Sequence, residues 1–164
     1  MNSDFFAQGL EIGRVLKKQG VKLATAESCT GGWVSQVITQ VSGSSAWFDR
    51  GFVTYSNEAK QDMLKVKATT LATEGAVSEA TAIEMAEGAI KQSLAELSLS
   101  ITGIAGPAGG TAEKPVGTVC FAWARTAQPS KASTQQFSGD RNSIREQAVH
   151  FAISELIDYV RDTQ

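Results

Sequence analysis

The segment VKLATAESCTGG, residues 21–32, sets the strongest limit on the fold. VKLATAE is short and mostly apolar, so it predicts a buried strand. It runs directly into SCTGG, and the stretch from Trp33 to Val41 has helical character. A strand that turns over two glycines into a helix is an α/β signature, because glycine tolerates the backbone conformations of a tight turn. The chain holds 15 glycines and only 3 prolines, which suits such turns better than disorder.

The same alternation continues. Residues 4–19 place Phe6, Leu10 and Leu16 near one helical face, with Lys17 and Lys18 in the last turn and Gly20 as the stop. SGSS (42–45) predicts a loop. GFVTYS (51–56) is β-branched and aromatic and predicts a strand. NEAKQDML (57–64) predicts a short helix capped by Ser56 or Asn57, and Ser78 caps a helix over 79–94. LSLSITGI (97–104) predicts a strand before the glycine-rich AGPAGGTAEKP. VGTVCFAWA (116–124) and KASTQQFS (131–138) predict a hairpin, and residues 141–161 a final helix with an apolar stripe through Val149, Ala152, Ile153, Leu156, Ile157 and Val160. This order implies a three-layer α/β/α fold with a mixed central sheet, in a single domain over 1–164. Ligands bind such sheets beyond the strand C-termini, and loops 28–32, 55–60 and 103–115 all follow predicted strands.

Charge and cysteine content narrow the function. The net charge is −2, so no basic stripe marks a nucleic-acid face and direct nucleic-acid binding is not expected. The N-terminal residues lack a basic segment followed by an apolar core, and no run reaches the ~20 apolar residues of a membrane span. Cys29 and Cys120 make no disulfide framework and read as reduced thiols, which favours a cytoplasmic location. No His, Cys, Asp or Glu cluster has metal-ligand spacing, so no metal site is expected.

Four segments carry candidate chemistry. In AESCTGG (26–32), Ser28 stands at a strand-to-helix turn beside free N–H groups, which would suit a phosphate or the oxyanion of acyl transfer. Gly31 and Gly32 allow close approach of a ligand. The plainer alternative is that Ser28 or Thr30 only caps the helix. The segment is neither a G-x-S-x-G elbow nor a P-loop. In FVTYSNEAK (52–60), Lys60 is a candidate base for Ser28, with Tyr55 relaying the proton or orienting the hydroxyl. The alternative is a solvated lysine and a packed aromatic. His150, the only histidine, lies beside the apolar stripe of the last helix, so a Ser–His–Asp triad is disfavoured. Cys29 stands at the same helix start, where a thiol pKa can fall, but it would need a base and His150 is the only imidazole, so it ranks below Ser28 as nucleophile.

The third segment, SITGIAGPAGGTAEKPVGTV (100–119), is either a ligand-closing loop through Thr102, Gly103 and Gly106–Gly110 or a plain connection that needs glycine for its turns. In the fourth, GDRNSIRE (139–146), Arg141 and Arg145 are four apart and can clamp a phosphate or face solvent in salt bridges.

Taken together, AESCTGG, GFVTYSNEAK, VSEATAIEMAEGA, SITGIAGPAGG, KPVGTV and GDRNSIREQAV resemble the CinA C-terminal domain family, in order, over residues 5–160. The resemblance implies deamidation of nicotinamide mononucleotide to nicotinate mononucleotide and ammonia. It implies a Ser–Lys site with a tyrosine, which maps to Ser28, Tyr55 and Lys60. The hydrolytic mechanism so implied requires no organic cofactor. Substrate contacts are expected from Cys29, Thr30, Gly31, Gly32, Asn57, Thr102, Gly103, Gly106, Arg141 and Arg145, and a homodimer or larger homo-oligomer is expected. Longer family members carry an added N-terminal domain related to molybdopterin-binding proteins, whose pyrophosphatase activity is not expected here. Two rival readings are a non-catalytic nucleotide-binding module and a regulatory protein tied to competence or DNA damage. Trp47 and Phe48 are open as interface anchors or core.

Overall fold

The computed structural model describes residues 3–164. Its elements are α1 (Ser3–Gln19), β1 (Leu23–Glu27), α2 (Trp33–Thr39), β2 (Phe48–Val53), α3 (Asn57–Leu64), α4 (Ala68–Glu74), α5 (Glu79–Lys91), β3 (Leu97–Gly103), β4 (Thr118–Arg125), β5 (Lys131–Gln136) and α6 (Arg141–Asp162). The sheet runs β2-β1-β3-β4-β5, with β2, β1 and β3 parallel and the β4–β5 hairpin antiparallel. It is the mixed sheet that the sequence implies.

The two faces of the sheet differ in side-chain size. Leu23, Leu97, Leu99, Ile101, Val119, Phe121 and Trp123 point to one face and pack with α1, α2 and α6. Alternate residues point the other way. They are small: Ala24 and Ala26 on β1, Ser98 and Ser100 on β3, Cys120, Ala122 and Ala124 on β4. Small side chains let α5 lie close to the sheet. The Ser98 and Ser100 hydroxyls then donate to the Ala86 and Ala82 carbonyls of α5, so neither is buried unpaired. Gly88 of α5 extends the close packing to α3, because a Cβ there would lie 2.0 Å from the Leu64 carbonyl oxygen.

The structure corrects several expectations. β2 starts at Phe48 and ends at Val53, three residues earlier than GFVTYS suggests, so Tyr55 lies in the turn beyond it. Residues 68–74, for which no element is predicted, form α4. The stretch read as a loop contains a 3₁₀ turn at Ser44–Ala46. Trp47 is core, 1% exposed, and Phe48 packs against the same cluster. His150 stacks on Phe5 at 3.9 Å and bonds Gln8 at the α1–α6 interface, in agreement with a structural role. No helix among the described residues is long and apolar enough to cross a membrane.

After β1 the chain crosses through α2 to β2 on one side. It then returns through α3–α5 on the other face to β3, on the far side of β1. The end of β1 is thus a topological switch point, where open α/β sheets form a crevice. Ser28 is the next residue.

Candidate active site

The C-terminal ends of the parallel strands β1, β2 and β3 lie on one edge. The turns after them line a pocket of about 180 Å³ with Ser28, Cys29, Tyr55, Asn57, Lys60, Ala76, Val77, Thr102, Gly103, Ala105 and Arg141. Its volume is below the roughly 300–1,000 Å³ of sites that enclose a whole drug-sized ligand. A larger groove of about 320 Å³ lies at the opposite end of the sheet, where the Ser130 hydroxyl donates to the Glu87 carboxylate at 2.7 Å.

Lys60 is the decisive side chain. It sits on α3, whose N-terminus is fixed by the Ser56 hydroxyl accepting from Ala59 N–H. The side chain turns inward and is 1% exposed. Nζ donates to Ser28 Oγ at 2.8 Å, to the Thr54 carbonyl at 2.8 Å and to the Tyr55 carbonyl at 3.5 Å. Burial pushes its pKa below the ordinary lysine value, because a desolvated ammonium is disfavoured. A neutral amine has two N–H donors and one lone pair. All three donations belong to the ammonium; once neutral, the amine keeps two donors for the carbonyls and turns its lone pair to the Ser28 hydroxyl proton. The solvated-lysine alternative is excluded.

The Tyr55 phenol does not bridge this pair. Tyr55 is 63% exposed and its hydroxyl accepts from Arg141 Nη2 at 3.1 Å. Arg141 Nη1 donates to the Gly106 carbonyl at 2.8 Å, so one guanidinium ties two walls of the pocket together. Asn57 and Gly103 line the pocket, as does Thr102, whose hydroxyl donates to the Ala76 carbonyl. Cys29 is also at the wall, but burial pushes its thiol up to about 12, which leaves it protonated and a poor nucleophile.

The helix-cap alternative for Ser28 and Thr30 is overturned by Glu27, which the sequence reading passed over. Its carboxyl is wholly buried. It accepts from Thr30 Oγ1 at 2.7 Å, Val34 N–H at 2.8 Å, and the N–H and hydroxyl of Ser35 at 3.1 Å each. It thus satisfies the first amides of α2, whose N-cap Gly32 has no side chain to do so. The available signal was an acid at the end of a buried strand, which must find donors. Gly31 and Gly32 take φ of +61° and +98°, which the sharp turn requires. Glu27→Gln turns an NH₂ toward backbone donors and is expected to lower stability by about 1–3 kcal/mol. Urea unfolding measures this, and an unshifted midpoint would mean that the carboxyl is dispensable.

Arg145, expected beside Arg141 as a phosphate clamp, is not among the pocket's lining residues. Its Nε donates to the Cys29 carbonyl at 3.0 Å and Nη2 to the Thr30 carbonyl at 3.2 Å, and its guanidinium lies over Trp33 at 5.4 Å.

Fold and site together place the chain among three-layer α/β proteins that present a serine hydroxyl to a buried lysine at the β1 switch point. The sequence model of the CinA C-terminal domain matches residues 7–160, and the chain belongs to that family. It is 52% identical to the nicotinamide-nucleotide amidohydrolase PncC of Escherichia coli K12, over 94% of each chain. It is 51% identical to a CinA-like protein of Syntrophobacter fumaroxidans, where 87% of this chain covers 33% of the relative. Among solved structures, the competence/damage inducible protein CihA of Agrobacterium tumefaciens superposes with a TM-score of 0.92 at 44% identity, over 94% of each chain. The competence damage-inducible protein A (ComA) of Klebsiella pneumoniae gives 0.93 at 37% identity, over 98% of this chain and 99% of that one.

Proposed function

We propose that this chain hydrolyses the carboxamide of nicotinamide mononucleotide, releasing ammonia and nicotinate mononucleotide. The observation that carries the reading is the 2.8 Å contact between Ser28 Oγ and a buried lysine amine. The 52% identity to a nicotinamide-nucleotide amidohydrolase supports the substrate.

In this reading neutral Lys60 takes the Ser28 proton directly as Oγ attacks the carboxamide carbon. The C=O π pair moves onto oxygen. The Gly31 N–H is committed to the Ser28 carbonyl, so the Cys29 and Thr30 amides are the turn's candidates to stabilise that oxyanion. The proton passes from Lys60 to the leaving nitrogen, the C–N bond breaks and ammonia departs. Water, deprotonated by Lys60, then opens the ester and restores the Ser28 hydroxyl. The positive pyridinium makes the carbonyl more electrophilic.

The 5′-phosphate is assigned to Arg141 at the pocket mouth, with Asn57 and the Gly106 loop beside it. Arg141→Ala is expected to raise KM by about tenfold to a hundredfold, with kcat changed far less. Steady-state kinetics on the mononucleotide measure this split. A fall in kcat alone would place Arg141 in the chemistry instead. A coupled ammonia assay with nicotinamide mononucleotide tests the reading itself. Binding without ammonia release would favour the nucleotide-binding alternative. A homodimer or larger assembly and a cytoplasmic setting belong to the same reading, and light scattering measures the first.

A further inference from the structure

The turn that carries Ser28 is intrinsically soft. Its internal hydrogen bonds run from Gly31 N–H to the Ser28 carbonyl and from Trp33 N–H to the Thr30 carbonyl, and two of its residues are glycines at positive φ. Glycine gains the most from disorder, so such a turn keeps one geometry only when something outside it holds the peptide planes. Glu27 holds the helix end through the Val34 and Ser35 amides. The carbonyls of Cys29 and Thr30 have a different holder. Both accept from Arg145, which reaches them from α6, and its guanidinium rests over Trp33.

From this geometry we infer that Arg145 is a positioning residue for the Ser28 nucleophile and does not bind the phosphate. The inference rests on the hydrolase reading above. The physical link is the planar trans peptide. A carbonyl and the N–H of the next residue point in opposite directions. Fixing the Cys29 carbonyl on Nε therefore fixes the direction of the Thr30 N–H. Fixing the Thr30 carbonyl on Nη2 likewise fixes the Gly31 N–H, which closes the turn on the Ser28 carbonyl. A planar fork holds both carbonyls at once, and lysine, a single point of charge, cannot reproduce it. Arg141 is the pocket's own guanidinium, and the two arginines divide the work: Arg141 meets ligand and Arg145 shapes the turn.

The test compares Arg145→Ala and Arg145→Gln with the parent protein on nicotinamide mononucleotide and on the phosphate-free riboside. Misplacing a nucleophile by about an ångström costs on the order of 10²-fold in rate, so kcat is expected to fall by about that factor on both substrates, with KM little changed. Millimolar guanidinium chloride is expected to restore part of the rate to Arg145→Ala, and Arg145→Lys is expected to stay low. Loss on the mononucleotide with the riboside spared would overturn the inference, since that is the pattern of a phosphate ligand. Full activity in Arg145→Lys would also overturn it. A serine-directed fluorophosphonate gives a readout independent of substrate. Ser28 labelling is expected to slow in Arg145→Ala and to recover with guanidinium, and equal labelling rates in parent and variant would sink the inference. If the parent labels at Ser28 yet releases no ammonia, the substrate reading falls while the labelling rates still decide the role of Arg145.

Discussion

Ser28→Ala is expected to abolish ammonia release from nicotinamide mononucleotide, a fall of about 10⁴-fold or more, while the protein stays folded. The size follows from losing a nucleophile: the covalent route disappears, and only binding and oxyanion stabilisation are left. The fold survives because the Ser28 side chain carries little of it. The Ser28 backbone N–H donates to the Ile101 carbonyl with any residue at this position, and alanine fits the same turn. The hydroxyl's partner is Lys60, which keeps the Thr54 carbonyl. The melting midpoint is therefore expected to move by less than about 4 °C, equivalent to about 1 kcal/mol in a chain of this length. Ammonia assay and thermal melt are run on the same preparation. Undiminished turnover in a folded variant would remove Ser28 as nucleophile, whatever the rest of the pocket does.

Lys60→Ala is expected to lower kcat by about 10²–10⁴-fold, the usual worth of a positioned general base. Lys60→Arg is not expected to rescue it, because a guanidinium stays protonated and has no lone pair to offer. The pH profile separates this role from substrate binding. Lys60 must be neutral to accept the serine proton, so kcat/KM rises with pH as the ammonium loses its proton. Burial disfavours the ammonium, and the rising limb therefore lies below the ordinary lysine pKa. The limb belongs to Lys60, so it is absent from the residual activity of Lys60→Ala. A rising limb of the same midpoint in that variant would assign the titration to another group.

These two effects exceed the others because Ser28 and Lys60 exchange the proton themselves. Glu27 and Arg145 act on the turn beneath them, and Arg141 on the distal part of the ligand. None of the three lies within hydrogen-bonding distance of Ser28 Oγ in the structure, where the contact made is with Lys60 Nζ.

Much of the fold was legible from local pattern. α3 begins at Asn57 and α5 at Glu79, each behind a serine whose hydroxyl accepts an amide of the first turn, and such caps are local chemistry. β2 was displaced because GFVTYS has strand-like residues throughout. The register against β1, Leu23 with Phe48 through Glu27 with Val53, picks the earlier window instead. α4 was invisible for a related reason. ATTLATE holds three threonines, which are weak helix formers, and none of its residues is buried. It is held by Glu84 of α5, whose carboxyl accepts from Lys67 N–H and the Thr70 hydroxyl.

For the site, residue types offered Ser28 and Lys60 only as candidates beside a helix cap and a solvated lysine, and the resemblance to the CinA C-terminal domain family is what pointed to them as partners. Sequence also put the key turns beyond strand ends, since periodicity places the strands and the strands place the turns. Three matters were decided only by tertiary structure. Lys60 is buried because α3 turns it under Thr54, and α3's own sequence looks solvated. The phenol of Tyr55 faces Arg141 because β2 ends two residues before it. Two arginines one helical turn apart part company because α6 packs across the Ser28 turn, so that Arg145 meets backbone carbonyls and Arg141 the open pocket. In each case the deciding energy is desolvation or pairing with a group far away in the chain, and no local pattern carries that information.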